Sequence, residues 1–353
     1  MNIYLHFPFC RSKCAYCALF SRAGSNEAER LAYSERIARE IDALPAPKDA
    51  PHTIYCGGGS PALCPLRPVL AALRAKGVLS DGAECTVELH PLDATDETLE
   101  TLRSWGVNRI SIGVQTFNDA TLSFLNRRHT AEDAFRAVSA ACRIFPSVGI
   151  DLIVGLPSPP DHDAILRILP HLTHVSAYTL IREPRTRLDL DLKRGRISVP
   201  DDDGAFAEFS AVRDLLCSSG FVRYEISNFA RPGFECRHNM SVWRGEDYIG
   251  LGDGACGRQG MTRTKGAAGA YESQTLTPEA DAVERAIFSL RTSSGLSLAR
   301  VAAAWPILAP RMESWGQALD FHASKGLLEH DSSAYRLTRR GAEVCDSILA
   351  DLI

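Results

Sequence analysis

Three cysteines, Cys10, Cys14 and Cys17, fall within one eight-residue run, CRSKCAYC, directly after the apolar, β-prone stretch NIYLHF. Thiols grouped this tightly can bind metal, pair as disulfides or simply pack. The chain has 11 cysteines, an odd number, and its N-terminus lacks the basic leader, apolar core and small-residue cleavage site of a secretory signal. Free thiols in a reducing compartment are therefore expected. Arg11, Ser12 and Lys13 make the run an exposed polar loop, which argues against three buried cysteines. A structural zinc site closes a tetrahedron, usually with two separated ligand pairs. Here the spacing is C-x3-C-x2-C, and Leu19, not a fourth ligand, stands two residues beyond Cys17. Three thiolates suit three irons of a [4Fe-4S] cluster, leaving the fourth iron open to a non-protein ligand. The other eight cysteines are scattered and read as small buried hydrophobes.

Other residues have chemistry that their surroundings do not explain. Gly57, Gly58, Gly59, Ser60 and Pro61 close the run HTIYCGGG. Glycines let the backbone approach a ligand, and their N–H groups can meet a carboxylate; a tight turn is the plain alternative. Glu88 lies between Val87 and Leu89, and Asp151 opens the apolar run DLIVGLP. A carboxylate in such a setting is costly unless paired, so each needs a salt bridge or a ligand. Gln115 ends RISIGVQ, and Arg127 or Arg128 precedes His129 in NRRH; each has a structural reading as well as a functional one.

These residues can meet only if the fold brings them to one face. Six β-rich runs (NIYLHF, HTIYCGGG, ECTVELHP, RISIGVQTF, VGIDLIVGLP and HVSAYTLI) alternate with amphipathic helical segments. That alternation predicts parallel β/α units. An open doubly wound sheet and a full or partial β/α barrel both fit, and each places a site at the C-terminal ends of the strands. Cys10 to Cys17, Gly57 to Pro61, Glu88, Gln115 and Asp151 fall there. Thr95 reads as a helix start, and Gly77 and Gly106 as helix ends. From Asp201 onward, AFAEFSAVRDLLCSSG reads as a helix, RYEISNFA as a strand and TRTKGAAGAY as a linker. The tail, with several helices and a short strand, suits a small winged-helix-like domain. A chain of 353 residues, 45% hydrophobic, can bury one large core and a second small one. A net charge of −4 excludes strong nucleic-acid or anionic-membrane attraction, and the basic spot RLTRRG is too small to change that. No apolar run approaches the roughly 20 residues of a membrane span.

Together these motifs resemble a known family. CRSKCAYC after a strand is similar to the signature of the radical S-adenosylmethionine enzymes, C-x3-C-x-aromatic-C, with Tyr16 as the aromatic. YLHFPFC, GGGSP, VELHP, NRISIGVQTF, NRRH, DLIVGLP and RLTRRG, in order from residue 3 to about residue 343, resemble the oxygen-independent coproporphyrinogen III oxidases and their relatives, the HemW-type heme chaperones. The resemblance implies an α/β fold: a partial (β/α)6, TIM-like barrel with its extension over residues 1–262, then a HemN-type, helical, winged-helix-like C-terminal domain over 263–353. It implies a [4Fe-4S] cluster on Cys10, Cys14 and Cys17. It implies S-adenosylmethionine contacts from Tyr4, Tyr16, Gly58, Gly59, Ser60, Glu88, Gln115, Arg127 and Asp151. In the family the cofactor chelates the open iron, and reduction of the cluster yields a 5′-deoxyadenosyl radical. Ser60 stands where threonine is more usual, and a hydroxyl is kept.

Two departures separate the chaperone from the oxidase. The oxidases carry a fourth cysteine where this chain has Leu19, and they are longer at the N-terminus. CRHNMSVW is also similar to the HNxxYW stretch of the HemW group: His238, Asn239 and Trp243 match, and Val242 replaces the tyrosine. Histidine is a common axial ligand of heme iron, so His238 is the heme candidate, with Cys236 as a second soft ligand; a turn-capping His238 and a core Trp243 are the plain alternative. Arg185 stands where the group usually has glycine. The resemblance thus implies a cytoplasmic heme chaperone that passes heme to membrane respiratory enzymes, as a homodimer or peripherally membrane-associated, with enzymatic activity and catalytic residues unassigned. A coproporphyrinogen III oxidase and a related radical methyltransferase are the alternatives.

Overall fold

The structure is a computed structural model that describes residues 1–47 and 52–353. β1 (Asn2–Phe7) leads into the cysteine loop, whose ends are joined by the short parallel pair β2 (Phe9–Cys10) and β3 (Arg22–Ala23). The chain then alternates: α1 (Glu27–Asp42), β4 (Thr53–Gly58), α2 (Arg67–Ala75), β5 (Glu84–Leu89), α3 (Asp96–Ser104), β6 (Arg109–Gln115), α4 (Asp119–Phe124), α5 (Ala131–Ile144), β7 (Ser147–Val154), α6 (His162–Ile168) and β8 (His174–Thr179). The six strands expected from sequence, β1 and β4 to β8, lie side by side in that order, each parallel to the next.

Alternation along these strands separates two environments. Ile3, Leu5 and Phe7 are fully buried in the helix-facing core with Ile37 and Ile41 of α1. Each such side chain contributes about 1.5–3 kcal/mol by leaving water. The intervening residues, Tyr4 and Tyr55 with Glu88, Ser111 and Asp151, point to the other side and build a polar interior. Helix starts behave as their residues predict. Asn26 and Thr130 form reciprocal capping boxes, and Thr95 accepts a bond from the Thr98 amide.

Past α7 (Arg187–Lys193) and α8 (Asp202–Ser218) the sheet gains edge strands. RYEISNFA is not one strand: β9 (Val222–Arg223) and β10 (Asn228–Ala230) fold back on each other, and β10 runs antiparallel to β8. The turn between them comes where Tyr224 donates its amide to the Asn228 carbonyl. HNMSVW forms a short helix, α9 (Arg237–Trp243), and β11 (Ile249–Leu251) extends the opposite edge parallel to β1. Among the described residues this nine-stranded row does not close on itself, which leaves a partial barrel.

The expected linker TRTKGAAGAY is instead a hairpin. β13 (Thr262–Ala267) and β14 (Ala270–Thr275) form a three-stranded antiparallel sheet with β12 (Cys256–Gln259). Ala268 and Gly269 make its two-residue turn, with φ of +48° and +83°, as a hairpin of this length requires. The tail comprises α10 (Pro278–Phe288), α11 (Leu298–Ala304), α12 (Met312–Ser324), the wing β15 (Leu328–His330) and β16 (Tyr335–Leu337), α13 (Arg339–Glu343) and α14 (Cys345–Ala350). It has its own core around Trp315, Leu290, Leu319 and Ile348. A buried ion pair, Arg213 with Glu343, ties that core to α8. No helix among the described residues is long and apolar enough to cross a membrane.

Candidate cluster and cofactor site

At the C-terminal ends of the parallel strands lies a cavity of about 770 Å³. The cysteine loop forms one wall, contributing Cys10, Cys14, Tyr16 and Cys17. Neighbouring loops hold it in place. The Ala15 amide donates to the Leu125 carbonyl and the Leu188 amide to the Ala15 carbonyl, both at 2.9 Å. The Asn126 side chain donates to the Lys13 carbonyl at 2.8 Å. All three thiols are free. Burial pushes the Cys10 thiol up, and the other two thiols add to that. Among the described residues no three His, Cys, Asp or Glu side chains converge as a single-ion site would need.

Opposite the loop, the glycine turn after β4 leaves the space that the thiols need. A Cβ on Gly59 would lie 2.5 Å from the Phe9 carbonyl oxygen and 2.9 Å from Cys10 Sγ. One on Gly58, whose φ is +107°, would lie 2.6 Å from the His6 ring. One on Gly57 would lie 2.9 Å from Glu88 Oε2. Three crowded positions in a row explain the three glycines better than a turn alone. Ser60 reaches the cavity, but its hydroxyl donates to Asp93 Oδ2 at 2.5 Å.

The floor is acidic. Glu88 Oε2 accepts from the Gly58 amide at 3.1 Å, and Oε1 accepts from Tyr55 Oη at 2.9 Å. Asp151 Oδ1 accepts from Ser111 Oγ at 3.1 Å. Burial and the nearby Asp151 push the Glu88 carboxyl up to about 7, and burial raises Asp151 as well. Both therefore suit a cation. Gln115 lines the same space with a φ of +69°, at an irregularity in the pairing of β6 with β7. A non-glycine residue held in the left-handed region is strained, and such strain gathers at binding sites. Arg127 completes the wall. One of its nitrogens donates to Cys14 Sγ at 3.7 Å and another to the Gly113 carbonyl.

Nearly all the residues expected from sequence therefore meet here. Two do not. Tyr4 sits one layer deeper: its hydroxyl is bonded to His6 Nδ1 at 3.0 Å and its ring stacks on Tyr55, 6.2 Å away, so it backs the site without lining it. His238 is buried at 4% exposure, far down the interior, because α9 points it inward. Its Nδ1 is bonded to Thr53 Oγ1 at 2.9 Å, and its ring packs against Tyr55 at 5.4 Å. Burial lowers its pKa to about 4. Trp243, at the other end of α9, packs edge-on against Phe288 of the tail.

Sequence reasoning missed Asp93. It accepts from both Ser60 and Arg11, and so links the glycine turn to the cysteine loop. Its signal was present: an acid three residues past His90, in a short turn after a strand end. His90, on the cavity wall, was also missed; it meets His129 edge-on at 5.0 Å.

A parallel barrel with a three-cysteine loop at the strand ends defines a radical S-adenosylmethionine fold. The Radical SAM superfamily pattern matches residues 4–167 and the HemN C-terminal domain pattern residues 276–344. The chain is 33% identical over 380 residues to the heme chaperone HemW of Mycobacterium tuberculosis, covering all of this chain and 94% of that one. It is 31% identical over 388 residues to the heme chaperone HemW of Bacillus subtilis, covering 99% and 100%. The coproporphyrinogen III oxidase HemN from Escherichia coli, described as a radical SAM enzyme, superimposes with a TM-score of 0.82 at 22% identity, covering 99% of this chain and 89% of that one. This chain belongs to the HemW group of the HemN-like radical SAM proteins.

Proposed function

We propose that the protein is a heme chaperone on a radical S-adenosylmethionine scaffold, which receives heme in the cytoplasm and passes it to respiratory enzymes. Its likeness to HemW heme chaperones over the whole chain carries this reading. The cavity's chemistry supports a resident cluster and cofactor. Cys10, Cys14 and Cys17 would hold a [4Fe-4S] cluster, with Gly59 keeping the space at Cys10 clear. Glu88 and Asp151, both kept from easy ionisation, would be offset by the cofactor's positive groups, and Gly58, Ser60, Gln115 and Tyr16 would shape the rest of its berth. When bound, the pair supplies one-electron chemistry; these residues bind it, orient it and keep water out.

Leu19 supports the chaperone over the oxidase, since the position of the oxidases' fourth cysteine is here an exposed apolar side chain on the cavity rim. Ile181, 69% exposed, lies on the same rim. Together they offer apolar footing to a flat macrocycle, whereas the buried His238 does not. The test uses anaerobically reconstituted protein. Hemin is titrated while the Soret band is followed; separately, coproporphyrinogen III is incubated with S-adenosylmethionine and a reductant. Stoichiometric hemin binding without vinyl product is expected. Turnover to protoporphyrinogen would make the protein an oxidase and overturn the reading.

A further inference from the structure

Arg127 is a cation with no bonded carboxylate, although its charge is felt by Asp151. Among the described residues it has no ion pair, whereas Arg11, Glu88 and Asp151 on the same cavity each have a bonded partner. Its guanidinium is nonetheless fixed. Asn126, at φ +58°, turns the chain, and the Arg127 amide bonds to the Leu122 carbonyl at 2.9 Å. One terminal nitrogen donates to the Gly113 carbonyl of β6, and the other reaches Cys14 Sγ at 3.7 Å. Nε is buried without a partner. Gly113 makes this approach practicable: a Cβ there would stand 2.8 Å from Gln115 Nε2 and 3.4 Å from the Arg127 nitrogen. A rigid fork anchored on a strand carbonyl thus presents its remaining N–H edge to a thiol.

We infer that Arg127 is a cluster-positioning residue, which donates to the Cys14 thiolate and thereby raises the reduction potential of the iron–sulfur cluster. The inference rests on the reading that Cys10, Cys14 and Cys17 hold such a cluster. The physics is direct. Reduction adds negative charge to the cluster and its sulfurs, and a cationic donor on one sulfur stabilises the reduced form more than the oxidised one. A contact with S-adenosylmethionine alone would act differently, since Arg127 would then leave the cofactor-free cluster unchanged.

The experiment compares the full-length protein with Arg127→Lys and Arg127→Gln, reconstituted anaerobically and titrated by EPR against potential without S-adenosylmethionine. Iron content should match in all three. In Arg127→Gln the reduced-to-oxidised ratio at fixed potential should fall at least tenfold, which for one electron is a midpoint about 59 mV more negative. Arg127→Lys, which keeps the charge but not the fork, should fall between. A wild-type midpoint in both variants, with only S-adenosylmethionine binding weakened, would overturn the inference while leaving the cluster reading intact. Wild-type protein that takes up no iron would overturn both. Should Arg127→Gln fail to assemble a cluster, wild-type protein carrying 15N-arginine decides by pulsed EPR. A nitrogen coupling to the reduced cluster that vanishes in Arg127→Lys supports the inference, and no such coupling overturns it.

Discussion

Replacing Glu88 with glutamine should stabilise the cluster-free protein at alkaline pH and leave it nearly unchanged in acid. Burial and Asp151 raise this carboxyl from an ordinary 4.5 to about 7 in the folded protein. The folded state therefore holds its proton more tightly than the unfolded chain does. No penalty exists below the unfolded value, and the full penalty is present above the folded one. Stability is thus lost as pH rises across that window, by about 3 kcal/mol at about 1.4 kcal/mol per pH unit. Glutamine removes that cost. Its amide oxygen can accept from the Gly58 amide or from Tyr55 but not from both as the two carboxylate oxygens do, a loss of about 1 kcal/mol. The balance is a gain of about 2 kcal/mol at pH 8.5 and about zero at pH 5. Urea unfolding of cluster-free wild type and Glu88→Gln at both pH values measures it, with the slopes checked for equality. An advantage that is equal at the two pH values, or larger at pH 5, would refute the assignment of Glu88 as a strained acid.

Four further outcomes are expected. Gly59→Ala should cut the iron retained after reconstitution severalfold, because the new methyl meets the Phe9 and Phe7 carbonyls and Cys10 Sγ and so displaces the start of the cysteine loop; iron and sulfide assays on folded protein check this. Arg185→Gly should be stabilising by up to about 1 kcal/mol in thermal unfolding, since Arg185 holds a φ of +67° that costs an L-residue about 1–2 kcal/mol, less glycine's entropic cost. Glu343→Gln should cost about 1–2 kcal/mol, because it removes the charge from the buried pair with Arg213 while Arg213 keeps its bond to Asp214, seen as an earlier unfolding transition by tryptophan fluorescence. His238 is held neutral to about pH 4, so its folded value lies below its unfolded one and wild-type stability should fall as pH drops from about 6.5 toward 4; His238→Phe should show a shallower decline over that window.

Local pattern predicted the barrel strands well because each has apolar residues on the helix side and a motif residue on the other. Ile3, Leu5 and Phe7 alternate with Tyr4 and His6, and the runs end in glycine or a cap that shows where the strand stops. The same pattern placed the cysteine loop, the glycine turn, Glu88, Gln115 and Asp151 on one face, while Arg127, in the loop after α4, was reached through the resemblance alone. Depth along the barrel was not readable. Tyr4 and His238 have the right residue types, yet their place is set by how far each strand or helix extends inward, which no local spacing records. The hairpin at residues 262–275 was misread because its Gly and Ala content is that of a linker, while its strands are held by pairing and bury few large side chains. Helix α9 is too short to show an amphipathic period. Asp93 was missed because its importance lies in two long-range bonds, to Arg11 and Ser60.

The stitching of the cysteine loop bears on the order of assembly. Small zinc domains fold only as metal arrives, because their ligand loops have no other reason to be ordered. Here the amide and carbonyl of Ala15 and the carbonyl of Lys13 are bonded to the end of α4, the residue after it and the first turn of α7, and Arg11 is anchored on Asp93. The conformational entropy of the loop is therefore lost together with that of the barrel. Loosening the end of α4 or the first turn of α7 should free the cysteine loop as well, so that residues distant in sequence set how rigidly its thiols are held.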